Sequence, residues 1–190
     1  MFSGKTTAVM QHLKSAVYAG KRVIAIRHTS DTRYDNVLVV SHDGQKMSAI
    51  NVGSLEDKEC VPSDVEVIGV DEGHFQKGLA GFCEHWNERG VDVCVAALHT
   101  TFDNKLWPEV VQLLPLCSAT KFHHAVCVLC GNTQACRTKN LARMPETGVL
   151  VGGEDAYVST CFTCQSKEVP EEILVKRKEI IERIKNLFPN

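Results

Sequence analysis

The stretch MFSGKTTAVMQHLKSAVYAG, residues 1–20, joins the end of a phosphate-binding loop to a helix. Gly4-Lys5-Thr6-Thr7 matches the last part of G-x-x-x-x-G-K-[ST], a loop whose backbone N–H groups cradle phosphates at a helix N-terminus. Apolar residues then recur at helical spacing as far as Gly20, a residue typical of a helix C-terminus. The full motif starts with a strand and an earlier glycine, which this stretch does not contain. The loop therefore needs support from a second feature.

Three short runs rich in β-branched residues follow this helix. They are KRVIAI at 21–26, VEVIGV at 65–70 and VDVCVAAL at 91–98. Nearly continuous apolar strands that alternate with helices are typical of a parallel sheet covered by helices on both faces. The sequence therefore predicts an α/β nucleotide-binding domain over residues 1–120.

An acidic pair, Asp71-Glu72, ends the second of these runs. Ligands of open α/β sheets bind at the carboxyl ends of strands, so the pair is predicted to face the same crevice as the phosphate loop. Successive side chains of a strand alternate in direction. Asp71 would therefore hold Mg²⁺ together with Thr6, and Glu72 could act as general base on an attacking hydroxyl, which favours a kinase over a simple ATPase. A surface acidic turn that caps the next helix is the alternative.

Four of the nine cysteines form two C-x-x-C pairs, Cys127/Cys130 and Cys161/Cys164. Four thiolates from two such turns match a closed structural zinc site, and the metal would close residues 121–168 into a small subdomain. A redox pair or chance spacing is the alternative, and His123 and His124 are candidate substitute ligands, although surface or packing roles suit them better. The five single cysteines are interpreted as small buried side chains.

Composition and charge exclude several classes of protein. The net charge of -2 and the pI near 6.4 disfavour nucleic-acid binding. No apolar run of membrane-spanning length and no secretory leader is evident, so a cytoplasmic protein without a membrane partner is expected. Residues 169–190 form an amphipathic pattern with charges of both signs, which predicts a C-terminal helix for packing or oligomerisation rather than a membrane-surface helix.

Six motifs in order give the chain a specific resemblance. They are MFSGKTT at 1–7, DTRY at 31–34, VDEGHF at 70–75, TF at 101–102, the two cysteine pairs, and VGGEDAY at 151–157. Together they resemble the zinc-containing (type II) thymidine kinase family of animals, bacteria and large DNA viruses, over Met1 to about Cys164. The resemblance implies a RecA-like P-loop fold with a zinc-clipped lasso, and ATP-dependent phosphorylation of thymidine at its 5'-hydroxyl.

The resemblance also implies roles for individual residues. Glu72 matches the catalytic base. The ATP phosphates and magnesium would be bound by Met1, Phe2, Ser3, Gly4, Lys5, Thr6, Asp31, Arg33 and Asp71. Phe102 matches the aromatic residue that stacks on the thymine ring, and Met1, Leu98 and Trp107 match the apolar wall around the base, although Phe102 and Trp107 could instead be core aromatics. The lasso residues that would contact the nucleoside are Thr138, Gly148, Val149, Leu150, Val151, Gly152 and Tyr157, although Tyr157 could instead be a staple of the lasso.

Other properties follow from the resemblance alone: a homotetramer and feedback inhibition by dTTP. Family members carry a strand and a G-P pair before the phosphate loop, and a chain without them is expected to be less stable and to bind ATP poorly. His99-Thr100 departs from the family pattern beside the base pocket, which leaves the preference among deoxypyrimidine nucleosides open. The alternative functions are a P-loop ATPase with a zinc-ribbon binding module and a catalytically silent kinase remnant.

Overall fold

The structure is a computed structural model that describes residues 3–29, 38–40, 46–141 and 156–187. Its contacts divide the chain into two compact units. One unit holds the described residues from Lys5 to Lys121. The other holds Ser3, Gly4 and the described residues from Phe122 onward.

The first unit combines helices with strands, and no helix separates β3 from β4, so the predicted alternation holds only in part. In chain order its main elements are α1 (Lys5–Tyr18), β1 (Val23–His28), β2 (Leu38–Val40), β3 (Lys46–Val52), β4 (Val67–Val70), α2 (Leu79–Asn87), β5 (Asp92–Val95) and α3 (Pro108–Leu113). Short 3-10 turns follow β4 at Gly73–Phe75 and α3 at Leu114–Leu116.

The strands of this unit form one sheet in the order β2-β3-β1-β4-β5. The last four are parallel, with Val23 opposite Val67 and Val67 opposite Asp92, whereas β2 runs antiparallel to β3. The three predicted runs correspond to β1, β4 and β5, which confirms the parallel sheet. The strand within residues 91–98 is shorter than predicted, because β5 pairs only with the four residues of β4. No strand was predicted at β2 or β3, where the sequence KMSAINV mixes polar and apolar residues.

Helices cover both faces of the sheet, because neighbouring residues of β4 point to opposite sides. Val67 packs with Val9, Met10 and Leu13 of α1. On the other face the core cluster combines strand and helix side chains, namely Ile26, Ile68 and Val70 with Leu79, Phe82, Trp86 and Leu113. Each face of the sheet thus has its own hydrophobic core, which agrees with the predicted α/β architecture.

Helix α1 lies unusually close to the sheet at Gly69. A Cβ atom on Gly69 would lie 2.7 Å from Leu13 Cδ1 and 2.8 Å from Val9 Cγ1, closer than carbon atoms pack. The glycine in VEVIGV therefore allows α1 to approach β4, and this contact sets the position of the helix that carries the phosphate loop at its N-terminus.

The second unit is built on a two-stranded antiparallel ribbon of β6 (Arg137–Asn140) and β7 (Tyr157–Thr160), followed by α4 (Glu171–Leu187). A small core surrounds the two cysteine pairs, with Ala125 and Ala135 buried among them. Helix α4 spans the tail that was predicted to be helical; it buries Ile181 and leaves Ile180 and Leu187 exposed. Among the described residues, no helix combines the length and apolar composition needed to cross a bilayer.

The single cysteines differ in burial. Cys83 is buried, and burial raises the pKa of its thiol to about 12. Cys117 and Cys136 are exposed, so the interpretation of all five as small buried side chains was wrong for these two. Cys117 follows the end of a short helical segment, and Cys136 directly precedes the ribbon strand β6.

Candidate active site

The phosphate loop ends at Gly4, and α1 begins at the next residue. Gly4 has a φ of 77°, a left-handed conformation that glycine adopts without steric cost. The first turn of α1 carries no acidic side chain of its own, and the N–H groups of a helix N-terminus present a positive potential. This arrangement suits the binding of a phosphate group.

His123 contacts the loop rather than a metal-ligating group. Its Nδ1 atom lies 3.1 Å from the carbonyl oxygen of Ser3. Because a carbonyl oxygen only accepts, Nδ1 is the nitrogen that carries the hydrogen in this contact. His123 therefore supports the backbone just before Gly4, a role that its place in the sequence did not indicate.

Thr6 and Asp71, far apart in the sequence, meet at the carboxyl end of β4. The Thr6 hydroxyl donates to the Asp71 carboxylate, with Oγ1 3.2 Å from Oδ1 and 3.1 Å from Oδ2. Asp71 is only 6% exposed, and its backbone N–H donates to the carbonyl of Ile26 at the end of β1. The structure thus brings together the two residues predicted to hold magnesium.

The Asp71 carboxyl group titrates far above its usual range. Burial is the main cause, and the neighbouring charge of Glu72 adds to it. Hydrogen bonds from the Thr6 hydroxyl and the Glu72 backbone, together with the charge of Lys5, partly offset these effects, leaving the pKa at about 7. A divalent cation bound beside this carboxyl group would favour its ionised form, because the cation would supply a compensating positive charge.

Glu72 has a strained backbone that re-aims its side chain. Its φ and ψ are 50° and 40°, a left-handed conformation that costs a non-glycine residue about 1–2 kcal/mol. The following residue, Gly73, is fixed by a 2.8 Å hydrogen bond from its N–H to the carbonyl of Ala96. A Cβ atom on Gly73 would lie 2.6 Å from Val95 Cγ1, so only glycine fits there. β4 ends at Val70, and Glu72 lies in a left-handed turn after it, so the strand alternation invoked for Asp71 and Glu72 does not extend to Glu72.

His74 is a buried histidine beside Glu72 that the sequence prediction missed. It is 2% exposed, and its Nε2 atom lies 3.7 Å from Glu72 Oε2. The backbone N–H of Leu98 donates to its Nδ1 atom at 3.2 Å. The residue stands within the motif VDEGHF, two positions after the predicted base, and its position in that motif was the available signal.

Aromatic rings enclose His74. Its ring centroid lies 4.2 Å from that of Phe75 and 4.9 Å from that of Trp107. Phe75 and Trp107 are themselves in edge contact, with centroids 5.6 Å apart. Leu98 and Trp107, both predicted to line the base pocket, therefore gather around the side chain that faces Glu72. Phe75 is a further member of this group that the sequence prediction did not name.

Phe102 lies on a tight loop after β5. The loop closes through a bridge between Thr100 and Leu106, and the Thr101 backbone N–H donates to the carbonyl of Lys105 at 2.8 Å. Phe102 is half-buried at the tip of this loop. The structure therefore holds its ring on a closed turn, and stacking on a base remains a prediction.

Two predicted nucleoside contacts lie in the ribbon of the second unit. Thr138 is on β6 opposite Ser159, and Tyr157 is on β7 opposite Asn140. Burial raises the pKa of the Tyr157 hydroxyl. The remaining predicted contacts fall outside the described residues; they are Met1, Phe2, Asp31, Arg33, Gly148, Val149, Leu150, Val151 and Gly152.

The four paired cysteines form one compact cluster. Their sulfur atoms all lie within 4.8 Å of one another, and within the described part of the chain no histidine joins them. Each pair is shaped by a tight turn: the Gly131 N–H donates to the carbonyl of Cys127, and the Cys164 N–H donates to that of Cys161. Four thiol sulfurs at this spacing fit a single tetrahedral metal of the kind that prefers sulfur ligands.

One thiol of the cluster is prepared to ionise. Burial alone would raise the pKa of the Cys127 thiol, but backbone N–H groups of Cys161, Cys130 and Leu129 donate to its sulfur and lower that pKa to about 6. Thiolate is the form that binds a metal. Burial and the neighbouring thiols raise the pKa of the Cys164 thiol to about 12, so the fit to a structural metal centre rests on the four-sulfur donor set.

Comparisons with known proteins agree with this geometry. A family model described as "TK: Thymidine kinase" matches residues 1–165. The chain is 35% identical over 179 residues to "Thymidine kinase, cytosolic" of Gallus gallus, covering 94% of this chain and 79% of the relative. It is 35% identical to "Thymidine kinase" of Myxoma virus (strain Lausanne), and the match covers 86% of this chain and 90% of the relative. It is 37% identical to "Thymidine kinase" of Coprothermobacter proteolyticus, and the match covers 94% of this chain and 92% of the relative.

Proposed function

The chain belongs to the thymidine kinase family, and from this membership we propose that it transfers the γ-phosphoryl group of ATP to the 5'-hydroxyl of thymidine in nucleotide salvage. The relatives named as thymidine kinases come from an animal, a virus and a bacterium, and the match covers most of each chain. The local observation that carries the proposal is the contact between Thr6 and Asp71, because it joins the phosphate loop to the strand end that bears Glu72.

The residues at this strand end divide the work of phosphoryl transfer. Gly4, Lys5 and the N-terminus of α1 bind the phosphates of ATP, which requires mainly positioning and positive charge. Thr6 and Asp71 supply the oxygen ligands for Mg²⁺, and magnesium, when bound, neutralises the charge of the phosphate oxygens. Glu72 accepts the proton of the 5'-hydroxyl as that oxygen attacks the γ-phosphorus.

The nucleoside would be held by residues from two regions. Phe102 stacks on the base, and Leu98 and Trp107 form an apolar wall. Thr138, Tyr157 and the lasso residues 148–152 add main-chain and side-chain contacts. This assignment rests on membership of the thymidine kinase family.

We further propose that the four-cysteine cluster holds a structural Zn²⁺, because four clustered sulfurs are the donor set typical of closed zinc sites. The zinc subdomain would span residues 121–168, between a nucleotide-binding domain at 1–120 and a C-terminal helix at 169–190. A homotetramer, feedback inhibition by dTTP and the absence of a nucleic-acid partner belong to the same proposal. One relative is named as cytosolic, and we propose a cytoplasmic location on that basis.

The deciding experiment measures dTMP formation from thymidine, ATP and Mg²⁺ with the wild-type chain and with Glu72→Gln. The amide keeps the size of the side chain but cannot take the proton, so kcat should fall by about 10²–10⁴-fold. Glu84→Gln is the matched control, because Glu84 is exposed on α2 and far along the chain from the site. Its kcat should equal that of the wild-type chain.

Two outcomes would contradict the proposal. ATP hydrolysis that does not depend on thymidine would indicate a P-loop ATPase instead. No turnover from a folded, magnesium-supplied wild-type chain would indicate a catalytically silent protein.

A further inference from the structure

We infer that His74 is a positioning residue that holds the carboxylate of Glu72 in the orientation needed for proton abstraction. The inference rests on the proposed function, in which Glu72 is the general base. It concerns a histidine that is buried, lies beside that carboxylate, and has no part in the mechanism described so far.

The tautomer of His74 follows from its contacts. The Leu98 backbone N–H donates to Nδ1 at 3.2 Å, so Nδ1 accepts and cannot carry a hydrogen in this contact. The ring hydrogen of the neutral imidazole is therefore on Nε2. Nε2 is the atom that lies 3.7 Å from Glu72 Oε2, so an N–H donor faces a carboxylate oxygen.

The His74 ring is held on three sides. Phe75 and Trp107 pack against it, and Leu98 anchors it from the backbone of the segment after β5. The backbone of the turn is fixed as well, since the Phe75 N–H donates to the carbonyl of Glu72 at 3.0 Å. These contacts hold the N–H donor in place, and Glu72, whose side chain is 17% exposed, faces it from the turn after β4.

The 3.7 Å between His74 Nε2 and Glu72 Oε2 is longer than a hydrogen bond, which requires about 2.7–3.2 Å. A movement of less than about 1 Å by the Glu72 carboxylate would close the gap, and hydrogen bonds of active sites commonly tighten when substrate binds. With Oε2 held by His74, the other oxygen of Glu72 would point to the substrate hydroxyl. His74 donates a hydrogen bond in this scheme and does not itself accept the substrate proton.

The test compares His74→Leu with His74→Gln in steady-state thymidine phosphorylation. The leucine side chain fills a similar volume but has no hydrogen-bond donor. The glutamine side chain ends in an N–H donor that can face Glu72. We expect His74→Leu to lower kcat by roughly 10–100-fold with the KM for ATP within about 2-fold of wild type, as for other residues that orient a catalytic group. His74→Gln should recover most of the lost kcat.

A combined variant separates positioning from a merely structural role. If His74 acts through Glu72, adding His74→Leu to Glu72→Gln should change the residual kcat by less than about 2-fold, because the group it orients is already disabled. The matched control is His85→Leu, since His85 Nε2 also faces a glutamate, 2.9 Å from Glu59 Oε1, on the surface of α2. Its kcat should stay at the wild-type value.

Three results would overturn the inference: a wild-type kcat in His74→Leu, equal losses in His74→Leu and His74→Gln, or fully additive losses in the combined variant. These results all presuppose a wild-type chain that phosphorylates thymidine. A wild-type chain without that activity would instead contradict the proposed function, so the two failures are distinct.

Discussion

Two neighbouring carboxylates at the end of β4 differ in nearly every physical respect. Asp71 is buried, receives the Thr6 hydroxyl and has a pKa of about 7. Glu72 has a left-handed backbone and a partly exposed side chain next to His74. These different surroundings are the physical basis of the two roles proposed for them, cation ligand for Asp71 and proton acceptor for Glu72.

The buried carboxyl group of Asp71 makes stability depend on pH. Its folded-state pKa of about 7 exceeds the unfolded value near 4, so the folded chain binds more protons than the unfolded chain between those values. The free energy of unfolding therefore falls as pH rises from about 4 to 7 and then levels off. Without added magnesium, Asp71→Asn should be more stable than wild type at pH 8, and the difference should shrink toward pH 5.

Urea denaturation across that pH range measures the effect. Asp57→Asn is the control, since it makes the same charge change at an exposed position and should follow the wild-type curve. If Asp71→Asn were less stable than wild type at pH 8, the buried carboxylate would not lower the free energy of unfolding, and the prediction would be wrong.

The sequence identified Asp71 and Glu72 but not His74. The acidic pair could be predicted because it follows an apolar strand directly, and the rule for ligand position in α/β sheets needs only that local order. The role of His74 depends on Leu98 and Trp107, which come from a separate segment. Contacts of that kind appear only once the chain is folded.

At the scale of elements, β4 is the strand on which the first unit depends. It pairs with β1 and β5, and its two faces meet α1 on one side and the core beneath α2 and α3 on the other. Apolar continuity made α1, β1 and β4 predictable. The edge strand β2 and its neighbour β3 were not predicted, because alternation and length are weaker signals where a strand mixes polar and apolar residues.

Because α1 and β4 are in close contact, adding one methyl group at Gly69 is expected to change the free energy of unfolding strongly. Gly69→Ala should lower the free energy of unfolding by about 1–3 kcal/mol, because the added Cβ meets buried Leu13 and Val9 at under 3 Å. Gly81→Ala is the matched control on α2, where the nearest atom to an added Cβ lies 3.7 Å away on Lys58.

Gly81→Ala should instead stabilise by about 0.5–1 kcal/mol, since alanine is the better helix former. Thermal and urea denaturation of both variants would measure the contrast. If Gly69→Ala and Gly81→Ala changed the free energy of unfolding equally, α1 could move away from β4 with little loss of stability.

At the scale of the whole molecule, the chain divides into an α/β unit and a cysteine-centred unit with different sources of stability. The first has two hydrophobic cores, one on each face of its sheet. In the described residues of the second, a small core consists largely of the cysteines and two alanines. A core of this size leaves much of the stability of that unit to a bound metal.

Metal content and local stability should therefore change together. The wild-type chain and Cys136→Ser should each carry about one zinc ion, whereas Cys161→Ser should carry none, because Cys136 lies outside the four-sulfur cluster. Hydrogen exchange of Cys161→Ser should rise in β6 and β7 and stay slow in α1 and β4. Zinc retained in Cys161→Ser, or lost in Cys136→Ser, would be incompatible with the proposed centre.

The order of the strands along the chain has a consequence for biosynthesis. All five described strands of the larger sheet lie between Val23 and Val95, whereas the last of the four clustered sulfurs belongs to Cys164. Roughly 70 residues separate these two points, which a ribosome translates in about 3–14 s at 5–20 residues per second. We therefore expect the nascent chain to complete its sheet while it is still attached to the ribosome, before it can capture a metal ion.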